Sequence, residues 1–551
     1  MLSSSTSDAT IDFQNPIDFV NVPRAIVVGN GSVAVDAQLS GVLSSSDYSG
    51  GLDKSGAGTL ALTNANTYTG PTNIVNGTLL LTGGGALSSS TPVGIASTGV
   101  FDISGIAGTT ATIGSLAGVA GASVILGTKT LDTGGNNYST TFAGVISNLD
   151  GSLTKSGTGT LTLTGANTYV GVTTINGGTL AITNDSALGT TDGNTVINST
   201  GSTATGGRLS LSNGITVSDA ITIQGTGDAA PFTGAITATG GIDTIAGTIT
   251  LTGTGSYRID ASGAGTQLTL NAIQRSTAAG SGLVLSPGAG AIIAANSVID
   301  NNGGILYAHG GGTVGLLASG NDLGDAIVQY STTVLLGASD ALATDRNLQI
   351  GNGAGLATQI NTDVATVDLA GNNQTINALN GYANTGGVIA PNTSRKITNS
   401  AGGPSILTIG NGNGSGSFDG LIENGNGSVA VIKVGIGTET LSGPQNYDSL
   451  TANGGITNVD GSFTNGTAIV TANATTNLGA NQTIGALIIA DGVTVTVGAP
   501  PHSPAPAPAF DSNDFGADAS ALAAQAVPEP ATAASLLSGL ALLLGLRRRR
   551  S

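Results

Sequence analysis

The sequence predicts an all-β body of short strands stacked into a continuous core. Three observations carry that reading: apolar residues alternating at strand period, internal repeats far apart in the chain, and a composition rich in glycine but poor in charge and aromatic rings. Of 551 residues, 89 are Gly, 9% are charged, 39% are hydrophobic and 3% are aromatic, with no Trp. A mean hydropathy of +0.25 argues for a buried core, because a disordered chain combines few apolar residues with high net charge. With so few rings, that core falls to Leu, Ile, Val and Ala in thin layers, which suits stacked strands.

Strand period is clearest in GTLALT and GTLTLT, where Leu60 and Leu62, or Leu161 and Leu163, alternate with small residues. That period of two is what a half-buried strand requires. Gly56-Ala57-Gly58 and Asn64-Ala65-Asn66 punctuate the strands as turn clusters expected to supply positive φ. No window long enough for an amphipathic helix precedes the C-terminal tail.

The repeats set the organisation. Lys54 to Gly70 reads KSGAGTLALTNANTYTG and Lys155 to Gly171 reads KSGTGTLTLTGANTYVG, an offset of 101 residues. A worn third copy, KVGIGTETLSGPQNY, runs from Lys433 to Tyr447. Upstream of each copy stands a shared element: LSGVL at Leu39 to Leu43, FAGVI at Phe142 to Ile146, FDGLI at Phe418 to Ile422. The clear repeats therefore span 39–83, 142–183 and 418–461, and NQTIxAL recurs at Asn373 to Leu379 and Asn481 to Leu487. Short strands with one apolar side cannot bury it alone, so copies are expected to stack. An antiparallel β-sandwich array stays open as the second fold, since alternation does not separate the two.

The repeated core, KSGxGTLxLTxxNTYxG, resembles the autotransporter-associated β-strand repeat of large bacterial surface proteins. That resemblance implies a right-handed parallel β-helix over residues 1–498, with coils of roughly 20 to 25 residues. Residues 190 to 420 keep the composition without the motif.

After Val497 a Pro/Ala-rich linker over 499–526 is expected to be extended and semi-rigid. Residues 527–551 hold Val527-Pro528-Glu529-Pro530, an apolar run from Ala531 to Leu546, and Arg547, Arg548, Arg549 and Arg550. Sixteen helical residues span about 24 Å against a hydrocarbon core of about 30 Å, a deficit that snorkelling arginines can cover. The positive-inside rule would keep the arginines cytoplasmic and residues 1 to 530 outside. This order of short motif, apolar helix and terminal arginines resembles a PEP-CTERM sorting signal. The resemblance implies an exosortase-type membrane processing enzyme as partner, a transient inner-membrane anchor, and a final place at the surface or in the matrix of a Gram-negative bacterium that makes exopolysaccharide. Exopolysaccharide and other surface proteins are further candidate partners. The first residues, MLSSSTSDATIDF, carry neither a basic nor an apolar signal region, so the tail implies a start upstream of Met1.

The charge balance is 15 basic against 32 acidic residues, a net charge of −17 with a pI near 4.2. Without Arg547 to Arg550 it is 11 against 32, or −21. Such a surface repels phosphate backbones, so nucleic acid is not an expected partner. With no Cys there are no disulfides or thiolate metal sites. The two histidines, His309 and His502, are too few and too separate for a His metal cluster, and no cofactor is implied. GNGNGSG from Gly410 to Gly416 lacks a surrounding βαβ unit, so it reads as a turn. Asp322, Asp325, Asp345 and Arg346 could share a shallow acidic groove. Lys54, Lys155 and Lys433, three of the chain's five lysines, recur at one repeat position, which implies a structural role at a coil edge that also blunts edge pairing.

Three function classes fit these features. The first is a structural or adhesive surface fibre without enzymatic activity. The second is a β-helical polysaccharide lyase or glycosidase, which would need clustered acids, bases and aromatic platforms that the sequence lacks. The third is a passive spacer displaying a domain upstream.

Overall fold

The computed structural model describes residues 6–148, 150–199, 206–224, 234–253, 255–276, 282–351, 365–381, 392–498 and 502. The chain divides into two compact units, Met1–Gly253 and Thr254–Ser551. The motif Val527 to Pro530, the cluster Arg547 to Arg550, the apolar run and all of the linker but His502 lie outside the described residues. Among the described residues no helix is long and apolar enough to cross a membrane.

Strand pairing is parallel throughout the described residues, which overturns the antiparallel sandwich. Antiparallel partners need only a tight turn, whereas parallel partners need a long crossover; here one whole coil is the crossover. In the first unit, one inward column runs Leu60, Leu79, Phe101, Val124, Ile146. A second runs Ile74, Ile95, Gly118, Phe142, Leu163, Ile182, Leu211, Ala238. A third runs Ile113, Thr133, Lys155, Ile175, Ile197, Ile223, Leu251. One turn of the first unit takes between 19 residues, from Leu60 to Leu79, and 29, from Ile182 to Leu211. Corner loops absorb most of the difference, and register shifts between Thr72–Gly83 and Pro92–Ile106, at Ile74/Asn76 and Leu80/Thr82, absorb some of it.

Burying one aliphatic side chain of these columns contributes about 1.5–3 kcal/mol. Strands such as Thr160–Leu163 and Thr179–Ile182 alternate buried and half-buried residues, as the sequence period requires.

The second unit is built from the same kind of columns, such as Leu268, Ile293, Val314, Val334, Val367, Ile397, Ile422. Its strands Leu283–Pro287, Ile292–Ala295 and Leu306–Ala308 are buried on both sides. Val284, Tyr307 and Ile327 form a separate apolar cluster on the side of the strand opposite Leu283 and Leu285. Ile292, Ala294, Leu317 and Leu335 form another. The unbroken apolar runs LVL and AIIAA encode this double burial, where the repeat copies alternate.

The conserved letters of each copy act at the corners. Lys54 is buried, and its Nζ donates to the carbonyls of Ser55 at 3.2 Å, Gly56 at 2.8 Å and Asn76 at 2.9 Å. Lys155 repeats this with Ser156, Gly157 and Gly177 at 2.8, 3.1 and 3.0 Å. Lys433 does so with Val434, Gly435 and Gly454. The expected role of these lysines as charges blunting a coil edge is therefore corrected: they turn inward and tie the corner of one coil to the corner of the next. Burial pushes Lys54 and Lys155 down to about 8, with Asp36 and Asp132 pulling them back up. Gly56 holds φ +77, and a Cβ there would lie 2.2 Å from the Val28 carbonyl, so no other residue fits.

Asn64 and Asn66 are not in the positive-φ region. Asn66 is instead a buried bracket: its Oδ1 accepts from Leu43 N at 2.9 Å and its Nδ2 donates to Ala86 O at 3.0 Å, joining coils on either side. Asn167 does the same between Ile146 and Ala187. Tyr68 and Tyr169, both buried, share hydrogen bonds with Thr72 and Thr173 at 2.7 and 2.6 Å.

Replacing Lys155 with Met keeps the bulk and removes the donors. A buried acceptor without a partner costs about 1–3 kcal/mol, so the denaturant midpoint of Lys155→Met should fall clearly below wild type in circular dichroism. An unchanged midpoint would show that water satisfies those carbonyls.

Candidate functional site

Each chemistry-bearing group named from the sequence has a definite place. Asp322, Asp345 and Arg346 do share a depression, of about 360 Å³, with Asn321, Asp340 and Leu342. Asp325 is not among its lining residues: its Oδ1 accepts from Asn347 N at 2.8 Å. Asp340 likewise accepts from Thr375 N at 2.8 Å, so both carboxylates brace neighbouring coils. Asp345 and Arg346 pair at 3.7 Å with side chains 66% and 49% exposed, a solvated contact of little energy. Asp322 and Asp345 are both exposed, so neither has the dry setting that tunes a catalytic acid.

His309 is buried beside Tyr330, ring centroids 5.8 Å apart. Burial, and then Arg258, push it down to about 3, so it is neutral at physiological pH. His502 is held by Asp460: its backbone N donates to Oδ2 at 2.7 Å and its Nδ1 lies 2.8 Å from Oδ1. The Gly410 to Gly416 stretch is a corner. Gly410 has φ +103 and Asn413 φ +63, and Asn413 Oδ1 accepts from Ile436 N. Among the described residues no group of three or more His, Asp or Glu is placed to hold a metal ion.

A buried ion pair and a buried carboxyl of the second unit are among the groups that escaped the sequence reading. Arg395 Nη1 donates to both oxygens of Asp419, at 2.6 and 2.8 Å, with side chains 3% and 4% exposed. Burial lifts the Asp419 carboxyl while Arg395 pulls it back. The signal was in the repeats: Asp419 stands where the other copies have Ser40 and Ala143.

Glu439 occupies the position of the core residues Leu60 and Leu161. It is buried and neither carboxyl oxygen has a hydrogen-bond partner. Gly416 makes room for it, since a Cβ there would lie 2.6 Å from Oε2. Burial raises its pKa well above the ordinary range, outweighing the Leu379 backbone and the Lys433 ammonium, which lower it.

With this geometry in hand, the comparisons are specific. Residues 52–81 and 153–182 match the Passenger-associated-transport-repeat family model. Both segments contain an inward lysine with its glycine corner. Over 238 residues, 42% of this chain, the sequence is 35% identical to "Adhesin BmaC autotransporter" of Brucella suis biovar 1 (strain 1330). The match covers 6% of that relative's length. No solved structure matches the chain. The chain is thus a parallel β-solenoid, two segments of which match a passenger-associated repeat.

Glu439 gives a pH test with a defined sign. Its folded pKa is raised above the unfolded value, so the folded chain keeps a proton that the unfolded chain releases as pH rises above about 4.5. Relative to Glu439→Gln, wild type should lose stability from pH 4.5 toward neutrality, by at most about 1.4 kcal/mol per pH unit for one proton. Melting curves of the two proteins across pH 4 to 8 measure it; parallel curves would mean that the carboxyl is solvated.

Proposed function

We propose that the chain is an exported surface protein whose solenoid serves as a structural or adhesive fibre rather than an enzyme, and whose tail directs its sorting. The observation that carries this reading is the Lys-capped passenger repeat, present in segments matching a family of exported passenger regions. Likeness to a relative named as an adhesin supports attachment as the task. The groove at Asp322, Asp345 and Arg346 supplies no buried acid or base, which disfavours the lyase or glycosidase alternative. A passive spacer would share the fold but not attach to anything.

The sorting proposal rests on the order VPEP, apolar run and four arginines. An apolar run stopped by Arg547 to Arg550 would hold Glu529 near the outer face of the inner membrane, within reach of an exosortase-type enzyme. Processing would remove the helix and four positive charges, releasing a more acidic fibre to the matrix.

In a host with an exosortase, wild type should appear as a shortened species at the surface or in the medium. The Pro528→Ala, Glu529→Ala, Pro530→Ala variant should stay membrane-bound at full mass. Equal mass and equal release of the two would reduce VPEP to a linker. Attachment is tested separately, by comparing surface binding of cells with and without the chain.

A further inference from the structure

Coils of this solenoid cover one another, and the last described coil of the second unit is left uncovered. Its strands Ala486–Ile489 and Val495–Val497 pair on one side only, with Ile469–Ala472 and Thr475–Leu478, and each stands last in its sheet among the described residues. Leu487, Ile489 and Val497 continue core columns, lying on Val470, Ala472 and Leu478. Those three partners are buried, whereas Leu487, Ile489 and Val497 are 36%, 50% and 66% exposed. The apolar core thus reaches the end of the stack and meets water there.

Two observations bear on what covers that end. The first is where the chain goes next. His502, four residues beyond Gly498, donates from its backbone N to Asp460 Oδ2 at 2.7 Å, and its Nδ1 lies 2.8 Å from Oδ1. Asp460 follows Val459, two rungs inside Val497 on the ladder Val459, Leu478, Val497. By His502 the chain has therefore turned back along the side of the stack, at about 4.8 Å per rung, and away from its end. The second is the composition of the edge. Folded proteins guard a free strand edge with charge or proline. The first coil is guarded in this way, since Asp12, Asp18 and Arg24 stand on its strands Ile11–Phe13, Ile17–Asp18 and Arg24–Val27. Ala486–Ile489 and Val495–Val497, reading ALII and VTV, hold neither device. Such an edge suits another uncharged strand.

We infer that this end of the second unit is a docking surface for the same end of a second copy, joined about a two-fold axis. The inference goes beyond the adhesive reading and does not depend on it. Alternation sets the register, because residues directly opposite in an antiparallel pair share a face. An axis through Ile488 places Ile488 against its counterpart and Leu487 against Ile489 of the second copy, so both copies keep their core residues inward. Pairing across the axis gives the free backbone groups of both edges a partner and covers Leu487, Ile489 and Val497. The last turn, from Leu478 to Val497, takes 19 residues, close to the roughly 20 to 30 per side of a standard interface. Between Gly479 and Gly498 the one charged residue is Asp491, so repulsion between two acidic chains is weak at this end. A surface that pairs with itself closes at two copies, giving a dimer and not a filament.

The test uses the full chain, which has no Cys, purified in a mild detergent. In sedimentation, wild type should pass from monomer to dimer over a micromolar range. Ile488→Lys, at an outward position that is 53% exposed, should melt as wild type does yet weaken dimerisation about tenfold or more, because two facing ammonium groups would be buried. Under oxidation Ile488→Cys should form a disulfide dimer, and Ile11→Cys on the first coil should not. A chain that stays monomeric at every concentration, as it would if residues 503–526 covered the end, overturns the inference. So does a dimer that survives Ile488→Lys, which would place the contact elsewhere. A mixed disulfide between Ile11→Cys and Ile489→Cys would mean head-to-tail stacking and overturns it as well.

Discussion

A coil with one apolar side cannot hide that side by itself, and the rest of this structure follows from that constraint. Each inward residue must lie on the equivalent residue of the next coil, at the spacing of about 4.8 Å that backbone hydrogen bonding imposes. Columns such as Leu60, Leu79, Phe101 and Val124 result. Strands tolerate substitution within a column because any aliphatic chain keeps the stack dry. Corners are less tolerant, since there the ladder stops and each carbonyl needs another partner. The inward lysines, bracketing asparagines and positive-φ glycines meet that need, which is why the recognisable letters of the repeat are mostly corner letters.

The second unit departs from this economy in two ways. It covers outward strand faces with apolar residues, as at Val284, Tyr307 and Ile327. It also buries an arginine–aspartate ion pair, Arg395 with Asp419, and a carboxyl, Glu439, at a position where the other copies have Leu. Buried pairs of this kind contribute little net stability, because desolvation offsets their attraction. They do make a coil sensitive to its charge state, which a column of leucines is not.

Much of the architecture was legible in the letters. Alternation in GTLALT and GTLTLT marked half-buried strands because solvent and core lie on opposite sides of one backbone. Alternation alone did not fix the pairing direction, since it is the same either way; the parallel β-helix was expected from the repeat's resemblance, and the strands do pair in parallel. The lysines were misjudged because charge normally marks a surface, and nothing local announces three carbonyls waiting inside a corner. Asn64 and Asn66 looked like turn residues for a similar reason. Their side chains act across coils about twenty residues away, a distance at which composition is silent. Asp322, Asp345 and Arg346 were correctly grouped, while Asp325 was drawn off by Asn347, whose backbone amide it caps.

The offset between the two clear repeat copies sets a direction as well as a distance. Following the ladder from Lys54 through Ile74, Ile95, Gly118 and Phe142 to Leu163 takes five turns and 109 residues. Lys155 falls eight residues short of that point, on the preceding ladder with Ile113 and Thr133. The second copy is therefore out of phase with the first by one side of the coil. A block of 101 residues added or lost by duplication would screw every loop beyond it onto a new side. Growth of such a solenoid by whole blocks would lengthen it and also sweep its decorated corners around the axis, so that a binding loop copied many times would face all directions rather than form a single stripe.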